Sequence, residues 1–255
     1  SSDRAAEVRQ VVDVPAGEST WELDLEALEL PWWSPAQPTM ARLITRVEHE
    51  TGSDSRALTA SRRTVGADGT RLLLNGRPVY PRGVLHWMAY PDRFAPDPPR
   101  ERVESELRSI KALGYSMVKL CLVLPPEHYF DVADELGILL WVELPMWLPR
   151  VTDGYEQQAV SEYRAMVRRI RNHPSVRLYT LGCELSSEAH AELLERLYRL
   201  VKVETGGALV RDNSGSAEAY GGIVQEYADF SDYHFYAEAH LFYDLMDHFL
   251  PAWKP

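Results

Sequence analysis

Residues 117–144 read MVKLCLVLPPEHYFDVADELGILLWVEL, and this stretch decides the fold. Met117 to Leu124 is an apolar run of strand length. Glu127 to Leu136 is an amphipathic helical run, and Ile138 to Leu144 is a second strand. Strand-length and helical runs in alternation are the signature of parallel βα units. Upstream, Val79 to Trp87 reads as a strand entering a long Pro/Asp-rich loop. Pro98-Pro99 then opens a helix with Val103, Leu107, Ile110 and Leu113 on one face. Downstream, a helix from about Gln157 to Ile170 carries Val160, Tyr163, Val167 and Ile170 on one stripe. Val176 to Leu181 is the fourth strand, followed by a helix through Leu193, Leu197 and Leu200. Ala208 to Arg211 is the fifth strand, Phe230 to Phe235 the sixth, and Leu241 to Leu250 a further helix.

Two architectures use this alternation. A doubly wound sheet needs a glycine-rich phosphate loop after its first strand to bind a nucleotide, and none follows here. The expectation is therefore an α/β fold, a (β/α)8 barrel that takes about 250 residues when complete. Residues 71–255 supply its first five to six βα units, so the barrel is expected to be incomplete at its C-terminus. Residues 1–70 have a different grammar. Trp21 to Leu25 alternates apolar and polar residues with period two, and no stretch sustains a 3.6-residue period. A small β-sandwich, or part of one, fits that region.

Composition narrows the function classes. Lys and Arg number 27 against 38 Asp and Glu, a formal charge of −11. Such an acidic balance repels phosphate backbones and anionic lipid, so neither nucleic acid nor a membrane surface is the expected partner. No run approaches the roughly 20 apolar residues of a membrane span. Ser1-Ser2-Asp3-Arg4 lacks a basic-then-apolar signal, so a soluble chain is expected, in a compartment the sequence leaves open. Cys121 and Cys183 match no metal spacing, and each sits in an apolar run as a buried thiol would.

In a barrel the reactive groups sit where strands run into their following loops. The polar residues at those places are His86 and Asp92, Lys119, Glu143, Glu184, Asp212 and Asn213, then Asp232, Tyr233, His234 and Tyr236. Carboxylates set among Trp and Tyr point to a sugar site. Aromatic faces stack on pyranose rings, and a carboxyl pair does glycosidic acid/base work.

The residues around strand four carry a resemblance. Arg171-Asn172-His173-Pro174-Ser175-Val176, followed by Leu181-Gly182-Cys183-Glu184, resembles the Asn-His-Pro-Ser…Leu-Gly-Asn-Glu segment of family 2 glycoside hydrolases. Leu74 to Val79 with Arg82-Gly83 resembles that family's entry into its barrel. Leu113 to Lys119 resembles its second strand, Asp134 to Leu139 the lead into the third, and Leu30 to Pro38 the Trp-Ser-Pro strand of an immunoglobulin-like domain. The resemblance implies a retaining exo-β-glycosidase with a carbohydrate substrate, no required cofactor and Glu184 as general acid/base. It implies a nucleophilic Glu on a seventh strand, beyond Pro255, so the fragment alone is expected to be inactive. Glu143 is the positional stand-in for that nucleophile, or else a group that hydrogen-bonds substrate. His86 and Trp87 line the sugar subsite in this reading, and Lys119, Asn213, His234 and Tyr236 touch sugar or orient the nucleophile. Three positions depart from the pattern, one of them Leu122, where β-galactosidases tend to have His. Cys183 stands where the family has an Asn that bonds the sugar 2-hydroxyl, and a thiol bonds weakly. Lys119 stands where Arg is usual. Those departures keep a rival open, a carbohydrate-binding or structural protein on a degenerate barrel. A third reading is a truncated piece whose open strand edge invites homo-oligomerisation.

Overall fold

The computed structural model describes residues 7–13, 17–21, 24–185, 191–215, 227–234, 243–244 and 247. The chain begins in small antiparallel pieces. After a 3₁₀ turn at Glu26–Leu28, β1 (Trp33–Ser34) pairs with β2 (Gln37–Pro38), and β3 (Ala41–His49) forms a hairpin with β4 (Gly52–Ala60). A meander follows, of β5 (Val65–Asp68), β6 (Arg71–Leu74) and β7 (Arg77–Val79). Among the described residues, the expectation of a sandwich here meets three separate small sheets. The β3–β4 hairpin is exposed over nearly its whole length.

The rest is built from β8 (Gly83–His86), α1 (Arg100–Ala112), β9 (Met117–Leu120), α2 (Glu127–Leu136), β10 (Leu139–Glu143), α3 (Tyr155–Ile170), β11 (Val176–Thr180), α4 (Ala191–Thr205) and β12 (Leu209–Arg211). The five strands make one parallel sheet in the order β8-β9-β10-β11-β12. Each strand lies beside its predecessor in the sequence, so there is no reversal of order of the kind a doubly wound sheet uses for its binding crevice. None of the described helices is long and apolar enough to cross a membrane.

Strand alternation assigns the two faces. Val118, Leu120, Leu140, Val142, Tyr179 and Val210 face the helices. They pack with Val103 and Leu107 of α1, Phe130 and Ala133 of α2, Tyr163 and Val167 of α3, and Leu194 and Leu197 of α4. The other face carries Met117, Leu139, Leu178 and Leu209, an apolar layer covered by fully buried Trp33. Trp33 is held there from several sides. Its indole donates to Asp134 O at 2.9 Å, its amide to Arg62 O at 2.8 Å, and its carbonyl accepts from Asn75 Nδ2 at 2.8 Å. Gly137 caps α2 in the left-handed conformation (φ 70°) so close to Pro35 that a Cβ would lie 2.5 Å from its carbonyl oxygen. Only glycine meets both demands.

The same end of the sheet holds the Asn-His-Pro-Ser turn. His173 Nδ1 lies 2.7 Å from Asp134 Oδ2, and its Nε2 lies 3.0 Å from Glu127 Oε1. Asp134 Oδ1 accepts from Ser175 N at 2.9 Å. The motif therefore ties α2 to the entry of β11. Although burial opposes its charge, the two carboxylates raise the His173 pKa.

Two strand expectations differ. Residues 230–234 of the sixth form no strand. Asp229 takes the place beside β12 instead. Its amide donates to Val210 O and its carboxylate accepts from Val210 N, both at 2.8 Å, so a side chain replaces the ladder. Near Trp21 to Leu25, the described residues 21, 24 and 25 lie outside any strand and lead into the 3₁₀ turn. The helix expected at Leu241 to Leu250 lies largely outside the described residues.

Candidate active site

Toward the C-terminal ends of the strands the inner face turns from apolar to charged. Lys119, two residues along β9 from Met117, sends its ammonium to Ser214 Oγ (2.7 Å), Glu143 Oε1 (3.3 Å) and Asp232 Oδ2 (3.6 Å). It also sits 4.3 Å above the Trp141 ring, whose indole donates to Thr180 Oγ1 at 2.6 Å. Glu143 ends β10 and is fully buried. A carboxylate so enclosed costs several kcal/mol to keep ionised unless it is paired, and Lys119 is its counterion. Fully buried Arg211, at the end of β12, divides its guanidinium between Asp212 Oδ1 (2.6 Å) and Asp232 Oδ1 (2.8 Å). Burial still raises the Asp212 pKa, against the pull of Arg211.

Glu184 stands in the loop that follows β11, with its backbone in the left-handed region at φ 48°. The loop is clamped on both sides. Cys183 N donates to Met146 O at 2.9 Å and Glu184 N to Ser214 O at 2.8 Å. Asn213 accepts from Leu185 N at 2.8 Å and donates to Leu185 O at 3.1 Å. Positive φ in non-glycine residues recurs after each of the first four parallel strands, at Met88, Leu122, Leu148 and Glu184. Each such residue costs about 1–2 kcal/mol. Strain of this kind collects at functional ends and is maintained by surrounding contacts.

The Glu184 carboxylate lies 2.9 Å from His234 Nδ1, and His234 Nε2 lies 2.9 Å from Ser214 Oγ. The Ser214 hydroxyl donates to Asp232, and its oxygen accepts from Lys119. Glu184, His234, Ser214, Asp232 and Lys119 thus form one connected polar chain. Gly215 makes the approach possible, since a Cβ there (φ 63°) would fall 2.3 Å from the His234 ring.

The structure gathers Lys119, Glu143, Cys183, Glu184, Asn213 and His234 at one end of the sheet. Cys183 is buried, and contact with Cys121, burial and the Glu143 carboxylate push its thiol pKa up. Asp232 pairs with Lys119 and Arg211. His86 lies apart, on the helix side, 6.0 Å from the Tyr90 ring and 6.4 Å from that of Tyr129. Its Nδ1 is 2.9 Å from Met88 Sδ, and burial lowers its pKa. Trp87 is half exposed, and Asp92 pairs with Arg102 at 2.6 Å. Tyr236 lies outside the described residues. Two members of the cluster escaped the sequence reading. Ser214 lies in Asn213-Ser214-Gly215, a run that also suits an ordinary turn, and Arg211 is the last residue of an apolar strand. The strand-end rule, extended by one residue on either side, would have found both. Among the described residues no group of three or more His, Cys, Asp or Glu could hold a metal ion. A cavity of about 710 Å³, between Trp32, Asn75, Tyr80, Ser116 and Leu139, lies at the opposite end of the sheet.

No family model matches the chain. A protein of Formosa agariphila that carries the name β-glucuronidase is 29% identical over 181 residues, 68% of this chain and 17% of that protein. β-Mannosidase A of Aspergillus clavatus is 33% identical over 118 residues, 45% of this chain and 12% of the enzyme. Among solved structures, the Ruminococcus gnavus β-glucuronidase in complex with D-glucuronic acid superposes on 70% of this chain and 32% of its own, with a TM-score of 0.65 at 20% identity. The GH2 β-galacturonidase of Eisenbergiella tayi bound to galacturonate covers 71% of this chain and 33% of its own, with a TM-score of 0.62 at 24% identity. The chain therefore spans less than a fifth of the curated relatives and about a third of these solved structures.

Proposed function

We propose, for a chain that belongs with the family 2 glycoside hydrolases, that it carries the acid/base half of a retaining exo-β-glycosidase site. In this reading residues 71–255 are the first units of a (β/α)8 barrel and residues 1–70 derive from an immunoglobulin-like domain. The observation that carries it is the 2.9 Å contact between Glu184 and His234 at the C-terminal end of β11, the end at which barrel enzymes place their chemistry.

Glu184 protonates the departing glycosidic oxygen while a second carboxylate, about 5–5.5 Å away, attacks the anomeric carbon. In the next step Glu184 takes a proton from water, which displaces the enzyme carboxylate from the sugar. Glu143 serves the site as the buried partner of Lys119 rather than as that second carboxylate, because attack requires access it does not have. Asn213 acts through the loop, since both ends of its amide are taken by Leu185. The substrate class is a terminal β-linked sugar.

One observation favours a second reading, a catalytically impaired carbohydrate-binding protein. Cys183 turns its thiol to Cys121 and Glu143, so the 2-hydroxyl contact that tightens in the transition state has no strong donor there. The experiment that separates the readings is Glu184→Gln in the full-length protein. Loss of an acid should lower kcat/KM about 10²–10⁴-fold for aryl β-glycosides with poor leaving groups. Activated leaving groups should lose far less. Equal losses for both classes overturn the acid role.

A further inference from the structure

Away from the charged end, several buried hydrogen-bond donors lack an acceptor among the described residues, and three of them are on Arg63, Arg177 and Tyr179. Arg177 is the second residue of β11 and Tyr179 the fourth, so both lie on the helix-facing side, and the register irregularity against β10 falls beside Arg177. Arg63 reaches the same place from the N-terminal region, its Nη2 donating to Arg171 O at 2.8 Å and His173 O at 3.1 Å. Those carbonyls belong to the turn that feeds β11. Beyond those two bonds, Arg63 Nε, Arg177 Nε and the fully buried Tyr179 hydroxyl have no partner among the described residues.

The nearby carboxylates are already engaged. Asp134 is held by His173 and Ser175 N. Glu204 serves Arg164, Arg168 and Arg171, the last at 2.7 Å. Two guanidiniums thus approach each other with only the already engaged Asp134 carboxylate acting against their repulsion, and burial together with Arg177 lowers the Arg63 pKa to about 10. Buried groups left unpaired in this way cost several kcal/mol, and an ordered ion is an accepted remedy.

We infer that Arg63, Arg177 and Tyr179 form a binding site for a small inorganic anion of chloride size, which ties the N-terminal region to β11. The donor set favours an anion, with two cationic N–H groups and one O–H, the phenolic oxygen being its one acceptor. The site is independent of the glycosidase reading, since it stands on the helix side near the start of β11.

Halide-dependent melting of the full chain tests it, at equal ionic strength in sodium chloride, sodium phosphate or sodium gluconate. Chloride should raise Tm over gluconate by about 2–4 °C and saturate. Arg177→Leu should abolish the increment and, in gluconate, melt no lower than the parent chain because an uncompensated charge is gone. Tyr179→Phe, the milder change, should shrink the increment. Crystals grown in bromide should show an anomalous peak within hydrogen-bond reach of Arg177 Nε. Equal Tm in all three salts, stabilisation by phosphate alone, an increment that survives Arg177→Leu, or water in place of the bromide peak would each overturn the site.

Discussion

The two ends of the parallel sheet share a backbone and differ in almost everything else. At the N-terminal end the inner face is Met117, Leu139, Leu178 and Leu209 beneath Trp33. Two residues further along three of those strands the same face is Lys119, Trp141 with Glu143, and Thr180, and β12 ends in Arg211. Hydrophobic burial stabilises the first end without regard to direction. The second is held by paired charges whose removal leaves a partner stranded. The lesson is a division of labour along each strand. One half binds the fold together, and the other spends part of that stability on holding charge and strained loops in place.

Substitutions at each end should separate these roles. Trp33→Ala should have the largest effect, about 4–5 kcal/mol in urea unfolding of the full chain, because it removes the cap and a buried hydrogen bond together. Lys119→Met comes next, at about 3 kcal/mol, since Glu143 is left buried and unpaired. Adding Glu143→Gln should restore much of that loss, and a strictly additive double variant would contradict the pairing. Gly215→Ala should cost about 1–3 kcal/mol by overpacking against His234. In the full-length protein it should also shift the alkaline limb of the pH–rate profile, where the general acid loses its proton, which a merely structural glycine would leave in place.

The smallest effect concerns His173. Its folded pKa is raised above the unfolded value near 6.5, so the stabilisation is complete below that value and disappears as pH climbs through the folded pKa. Melting temperature should decline as pH climbs from about 6.5 upward. His173→Gln should flatten that decline, and an unchanged slope would remove His173 from the explanation.

Much of this contrast was legible in the sequence. The alternation around 117–144 identifies the parallel units because long amphipathic helices such as α2 and α3 leave no competing period. Glu184 was legible because motif and strand end coincide. Other features depend on contacts between distant segments. Trp32-Trp33 reads as a strand, yet only the fold places Trp33 under four parallel strands. The Asn-His-Pro-Ser motif was legible as a resemblance, while its physical role, tying α2 to β11 through Asp134, was not. His86 obeys the strand-end rule but turns to Tyr90 and Tyr129, because alternation puts it on the helix side. The sixth strand failed for a local reason, since the Asp229 side chain satisfies Val210 better than a ladder starting at Phe230.

The strand order also bears on assembly during synthesis. Since β9 docks on β8, β10 on β9 and so on to β12, each unit leaving the ribosome finds a template already in place, its immediate forerunner. Closure between such neighbours spans a whole helical crossover, so each step is slower than a hairpin yet needs no strand from further along the chain. The wall can grow vectorially, one hairpin-free step at a time, with a single live edge travelling forward as translation proceeds.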